Sequence, residues 1–84
     1  MELKQLRDRI DEIDAQILKL LNERAMTAKT IGITKKEKNI DILNRTREKQ
    51  VLDNLVVKNN GPLSDKAILN IFTVIIQICR EIQF

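Results

Sequence analysis

Residues 3–31 read LKQLRDRIDEIDAQILKLLNERAMTAKTI. Leu3, Leu6, Ile10, Ile13, Ile17 and Leu20 step along this stretch at alternating intervals of three and four. That rhythm is the seam of a helix facing other helices. The next position in it is Arg24, and Ile31 resumes it. A guanidinium inside an apolar seam is costly unless something pairs with it. Arg24 therefore meets either a carboxylate of its own chain or an anion from outside it.

Outward from the seam, no proline interrupts the chain before Pro62, and Gly32 alone weakens the first helix. That helix is expected over about residues 2–36, roughly 50 Å at about 1.5 Å per residue. Asn39 and Asp41 mark a loop, and Asn44 is a good N-cap for a second helix over about 44–59, with Asp41 as an alternative start. Its face carries Val51, Leu52 and Leu55, and Asn59-Asn60-Gly61-Pro62 is a strong stop signal. Ser64 caps a third helix over about 64–82, with Asp65 in the favourable first turn. Ile68, Phe72, Ile75, Cys79 and Ile82 form its stripe at steps of four, three, four and three. Strand-like alternation is absent, so the fold class is all-α, a three-helix chain forming one domain over 1–84. The second and third helices, roughly 20–25 Å and 30 Å long, cannot cover the first. A chain this short also buries little core alone. Both problems are solved by a homodimer with two-fold symmetry in which the first helix packs on its mate.

Composition narrows the chemistry. At 43% apolar and 32% charged, the chain reads as soluble and globular rather than disordered. It shows neither a leader pattern nor an apolar run of membrane-spanning length. The single cysteine, Cys79, cannot form an internal disulfide, which suits a reducing cytoplasm. It lies in an apolar pattern and reads as a buried small hydrophobe. With no histidine, metal sites are poorly supplied, and Ser–His–Asp or Cys–His nucleophiles are excluded. The net charge of +3 is uneven: residues 29–49 carry seven basic and three acidic side chains, whereas 1–28 sum to −1 and 50–84 to zero. An anionic ligand near the middle segment would account for this, as would a solvated basic face.

Arg24 and Lys35 are eleven residues apart, close to three turns, and so point the same way about 16 Å apart. Arg7 shares a heptad column with Lys35 but lies about 40 Å from it along the helix. If the first helix pairs antiparallel with its mate near Leu18, the mate's Arg7 falls opposite residue 29, between Arg24 and Lys35. Asn44, Arg47 and Glu48 share a face with Val51 and Leu55. Cys79 and Gln83 continue the Phe72–Ile76 face of the third helix at a spacing of four, placing an amide near the end of the apolar stripe. Taken singly, Arg47–Glu48 could be a surface pair and Lys35 part of a solvated helix end. Together these residues describe a dimeric pocket with several cations, one carboxylate and two amides, suited to a compact dianion.

The chain resembles the all-helical (AroQ-type) class of chorismate mutase over nearly its whole length. The resemblance rests on Leu6-Arg7-Asp8-Arg9-Ile10-Asp11-Glu12-Ile13-Asp14 and Leu20-Leu21-Asn22-Glu23-Arg24, then on Ile31-Gly32 with Lys35, on Arg47-Glu48, and on Ile71-Phe72, Ile75-Ile76 and Gln83. It implies an intertwined dimer with two equivalent sites. It also implies a cofactor-free and metal-free rearrangement of chorismate to prephenate, in phenylalanine and tyrosine biosynthesis. By the family's pattern, Arg7 of one chain and Arg24 of the other bind the substrate's two carboxylates, supported by Arg47. Lys35 and Gln83 bond the ether oxygen, and Glu48 accepts from the ring hydroxyl with help from the backbone at Asn44. Asn44 stands where an Asp is common in the family, and Cys79 where a Ser often contacts a carboxylate.

An intramolecular rearrangement needs no nucleophile, which fits the lack of histidine. The site has to fold the substrate into a reactive chair and stabilise charge building on the ether oxygen. Two other functions compete. One is an isochorismate pyruvate-lyase on the same scaffold. The other is a non-catalytic basic module for dimerisation or nucleic-acid binding. Only Phe72 and Phe84 are available for stacking on bases, and the charge is small for phosphate binding. Neither nucleic acid nor a membrane is therefore expected as a partner.

Overall fold

A computed structural model of the chain describes residues 2–83. Met1 and Phe84, the end residues of the expected domain, lie outside the described residues. Three helices follow in order: α1 (Leu3–Glu37), α2 (Arg45–Lys58) and α3 (Asp65–Glu81).

Local chemistry accounts for each boundary. At the start of α1 the Glu2 backbone N–H donates to Gln5 Oε1 at 3.3 Å. Lys4–Asp8 and Arg9–Glu12 pair along its exposed face at 3.1 and 3.3 Å, each adding a few tenths of a kcal/mol (about 0.3). Lys35 and Lys36 occupy its last turn, where cations complement the helix dipole. The chain then leaves the helix through Asn39, whose φ of 55° is a left-handed conformation that asparagine tolerates. Asn44 caps α2 by accepting from the Arg47 backbone N–H at 2.9 Å. Ser64 caps α3 through the Ala67 N–H at 3.1 Å. Losing such a cap costs about 1 kcal/mol. Between them Asn59 organises the turn: its amide donates to Leu63 O at 2.9 Å and Asp65 at 3.0 Å, and its oxygen accepts from Gly61 N at 3.1 Å.

α3 packs against both α1 and α2. The most buried positions are Ala28 and Gly32 of α1 and Ile76 and Cys79 of α3, a small core held at one end of α1. Gly32 sets the separation there. A Cβ on it would lie 2.6 Å from the carbonyl oxygen of Gln83 and 2.7 Å from its Cα. The residue expected only to weaken the helix is the point where the backbone at the end of α3 touches α1.

As the helix lengths imply, α1 is not covered by its own chain, and one expectation, the α3 stripe, is corrected. The seam from Leu3 to Leu20 is not the face that α1 gives to its own chain. Leu3, Leu6, Ile10 and Ile17 remain exposed, Leu20 is 62% exposed and Ile13 is half-buried, because only α3 packs on α1 and its tightest contact is around Ala28 and Gly32. On α3 the stripe sits slightly round the helix from the expected one. Ile76 is buried where Ile75 is half-buried, and Ile82 is exposed at the end of the helix.

The exposed seam has a global counterpart. The chain measures 55 × 23 × 15 Å with a radius of gyration of 15.9 Å, against about 12 Å for a compact chain of this length. It exposes 7160 Å², where a compact monomer of the same mass exposes about 5,200 Å². Among the described residues, no helix is long and apolar enough to cross a membrane.

The Gly32 contact makes a direct prediction. Gly32→Val forces a branched side chain against the Gln83 backbone and should destabilise the fold by about 1–3 kcal/mol. Urea unfolding reads this as a lower midpoint at constant slope.

Candidate active site

The face of α1 that α3 does not fully cover carries Arg24, Thr27, Ala28, Ile31 and Lys35, at helical spacings of three and four. Opposite it stand the first turns of α2 and the last turns of α3. The three elements enclose an open-sided cavity of about 310 Å³, within the usual range for a small-molecule site.

Seven of the eight residues singled out from sequence line this cavity. They are Arg24 and Lys35 from α1, Asn44, Arg47 and Glu48 from the start of α2, and Cys79 and Gln83 from the end of α3. The eighth, Arg7, does not. It is seventeen residues before Arg24 on the same helix, about 25 Å away along the axis, and is exposed.

Each side chain has a distinct local environment. Arg24 is half-buried, and among the described residues no carboxylate lies within ion-pair distance of it. The internal partner that its place in the seam allowed is therefore not found within residues 2–83. Lys35 is half-buried, and its Nζ donates to the carbonyl oxygen of Ile42 at 2.8 Å. That bond ties the ammonium to the α1–α2 loop and directs it at the cavity without neutralising it. Arg47 is exposed, and its Nη1 donates to Gln50 Oε1 at 2.7 Å. Asn44 uses its side-chain oxygen as the α2 cap. An Asp at this position would cap equally well. Cys79 is buried, with a free thiol.

Gln83 is held more tightly than a residue so near the chain end normally is. Its backbone rests on Gly32 and its N–H donates to Arg80 O at 3.1 Å. Its Oε1 is buried, with no hydrogen-bond partner among the described residues.

One cavity residue escaped sequence reasoning. Arg80 of α3 donates from Nη1 to both carboxylate oxygens of Glu48, each at 2.8 Å. Glu48 is thus not paired with Arg47, its neighbour in sequence. The signal was present in the spacing: Arg80 is four residues after Ile76 and three before Gln83, on the face that closes the cavity. With Arg24, Lys35, Arg47 and Arg80 against Glu48, the lining carries a net charge of +3. A half-enclosed site with that excess favours an anion, and arginine is suited to carboxylates.

A family model described as chorismate mutase type II matches residues 6–84. The chain belongs to the type II chorismate mutase family. It is 32% identical over 84 residues to a chorismate mutase of Methanocaldococcus jannaschii, a match covering 98% of this chain and 84% of that protein. It is also 38% identical over 86 residues to a bifunctional chorismate mutase/prephenate dehydratase of Aquifex aeolicus, covering 98% of this chain and 24% of that one. The chain thus spans about a quarter of the length of such bifunctional relatives. The structure of chorismate mutase (form II) from Thermus thermophilus matches with a TM-score of 0.95 at 28% identity, covering 96% of this chain and 92% of that one.

The unpartnered Gln83 oxygen carries a stability cost. A buried unsatisfied acceptor typically costs about 1–3 kcal/mol. Gln83→Met, similar in shape and without that acceptor, should therefore raise the urea unfolding free energy of the ligand-free protein by about 1 kcal/mol.

Proposed function

We propose that the chain is a chorismate mutase, converting chorismate to prephenate in phenylalanine and tyrosine biosynthesis. The observation that carries this is the single cavity joining Arg24, Lys35, Arg47, Glu48 and Gln83, with an excess of positive charge, in a chain of this family.

Chorismate is a dianion, and its rearrangement is internal. The ether C–O bond breaks as a C–C bond forms between the enolpyruvyl methylene and the ring. The electrons shift round a six-membered cycle, and no atom or proton leaves. Catalysis is then a matter of conformation and electrostatics. Arginines clamp the carboxylates so that the flexible side chain stays folded over the ring. Arg24 supplies one clamp, with Arg47 adding positive charge at the same end. Lys35 Nζ and the Gln83 amide point to the ether oxygen, where negative charge grows as the C–O bond lengthens. Donors already in place stabilise that charge more than the ground state, which lowers the barrier. Glu48 accepts from the ring hydroxyl, beside the backbone of Asn44. Cys79 contributes a packing surface and at most a weak thiol donor.

The second carboxylate calls for another cation, and Arg7 is the residue that the family pattern assigns to it. Arg7 is too distant within one chain, so the site is shared in a homodimer. The support is physical. The Leu3–Leu20 seam is exposed, and an apolar groove of about 740 Å³ between α1 and α3 is lined by Ile17, Leu18, Leu21, Ile71, Val74 and Ile78. The excess exposed area, roughly 2,000 Å² per chain, is of the size an obligate dimer buries. The free Cys79 thiol suits a cytoplasmic location.

Four outcomes are expected. Purified protein should consume chorismate, followed as loss of its ultraviolet absorbance, and should leave isochorismate unchanged. Lys35→Ala should retain the helical circular dichroism but lose about a hundred- to a thousand-fold in kcat; near-normal turnover removes Lys35 from the mechanism. Sedimentation should give twice the chain mass of 9.8 kDa. Arg7→Ala and Arg24→Ala proteins, each inactive alone, should regain activity when unfolded together and refolded, because one site of the mixed dimer keeps both arginines.

A further inference from the structure

Arg80 has no part in the mechanism above, yet it makes the only side-chain ion pair between two helices among the described residues. Its Nη1 sits 2.8 Å from both Glu48 oxygens, and the two side chains are only 32% and 27% exposed. Both residues line the cavity. A carboxylate held by one donor between its two oxygens loses rotational freedom, yet keeps further lone pairs free to accept a bond. A carboxylate in a site built for a dianion also repels its ligand unless a neighbouring cation offsets it. Arg80 meets both requirements. The other charged groups lining the cavity are Arg24 and Lys35 on α1 and Arg47 on α2. Arg47 is engaged with Gln50 and Lys35 with the Ile42 carbonyl, so among these cations Arg80 is the one that grips Glu48.

We infer that Arg80 is a positioning residue: it orients the Glu48 carboxylate towards the substrate's ring hydroxyl and offsets its charge, so that the hydroxyl is recognised without repelling the dianion. This rests on the chorismate reading and extends it by a specificity device outside the set of groups that touch the reacting atoms. The hydroxyl takes no part in the bond changes, so it is bound alike in the ground and transition states. Its loss therefore falls mainly on KM.

The test compares the parent with Arg80→Met, Arg80→Lys, Glu48→Gln and the Arg80→Met/Glu48→Gln double variant, each checked for folding by thermal melting. The probes are chorismate turnover and calorimetric binding of an oxabicyclic dicarboxylate that mimics the chair, with and without the ring hydroxyl. Arg80→Met should raise KM about tenfold to a hundredfold, the worth of a charge-assisted hydrogen bond, while kcat changes less than about threefold. Arg80→Lys should recover part of the loss and, because it keeps a tie between α2 and α3, gives the reading if Arg80→Met fails to fold. The double variant should be little worse than Glu48→Gln alone. Binding of the hydroxylated dicarboxylate should weaken more than binding of its deoxy counterpart. Parental KM in a folded Arg80 variant, multiplying losses in the double variant, or equal weakening of both dicarboxylates each overturns the inference. A parent inactive on chorismate removes the functional reading and this inference with it, whereas an active parent with an indifferent Arg80 removes this inference alone.

Discussion

A 35-residue helix presents more apolar surface than the remainder of this chain can cover. That constraint shapes everything else. α3 packs on α1 around Ala28 and Gly32, α2 packs on α3 alone, and most of the seam from Leu3 to Leu20 stays in water. A few fully exposed leucines and isoleucines are tolerable on any protein, but a continuous stripe on an elongated chain marks an interaction surface. The same geometry carries Arg7 away from the cavity that otherwise gathers the cations. The packing problem and the distance of Arg7 would both be met by the homodimer proposed above.

At the covered end the chain holds charge where it would normally hold carbon. Arg24 and Lys35 are half-buried on the inward face of α1. Lys35 is directed by a backbone carbonyl rather than a carboxylate, and the one carboxylate in the lining is taken by Arg80. Neutralising each cation internally would leave a poorer anion site. The buried oxygen of Gln83 carries a cost of its own: the amide is held at the cavity wall with its acceptor unsatisfied. Under the proposed function, donors already fixed in the cavity, such as Lys35 Nζ, stabilise the charge that develops as the bond breaks.

Much of this was legible in the residues. The helix starts follow from Asn44 and Ser64, whose short polar side chains cap backbone N–H groups as their position predicts. The cavity faces follow from helical spacing, which groups Arg24 with Lys35 and Asn44 with Glu48. What could not be read depends on the distance and angle between helices. Glu48 and Arg80 are 32 residues apart, and nothing local links them. Gly32 read as a weak point because a missing Cβ shows only its propensity cost, not the Gln83 backbone that fills the space. Ile76, not Ile75, turned out to be the buried member of the α3 stripe because α3 has to face α1 and α2 at once.

The central claim is that the cationic cavity is completed by a second chain. The most direct measurement is a crystal structure of the protein with a bound oxabicyclic dicarboxylate. One carboxylate is expected within hydrogen-bond distance of Arg24 and the other within that distance of Arg7 from a second copy. A dicarboxylate held by one chain alone, with Arg7 in solvent, would contradict it.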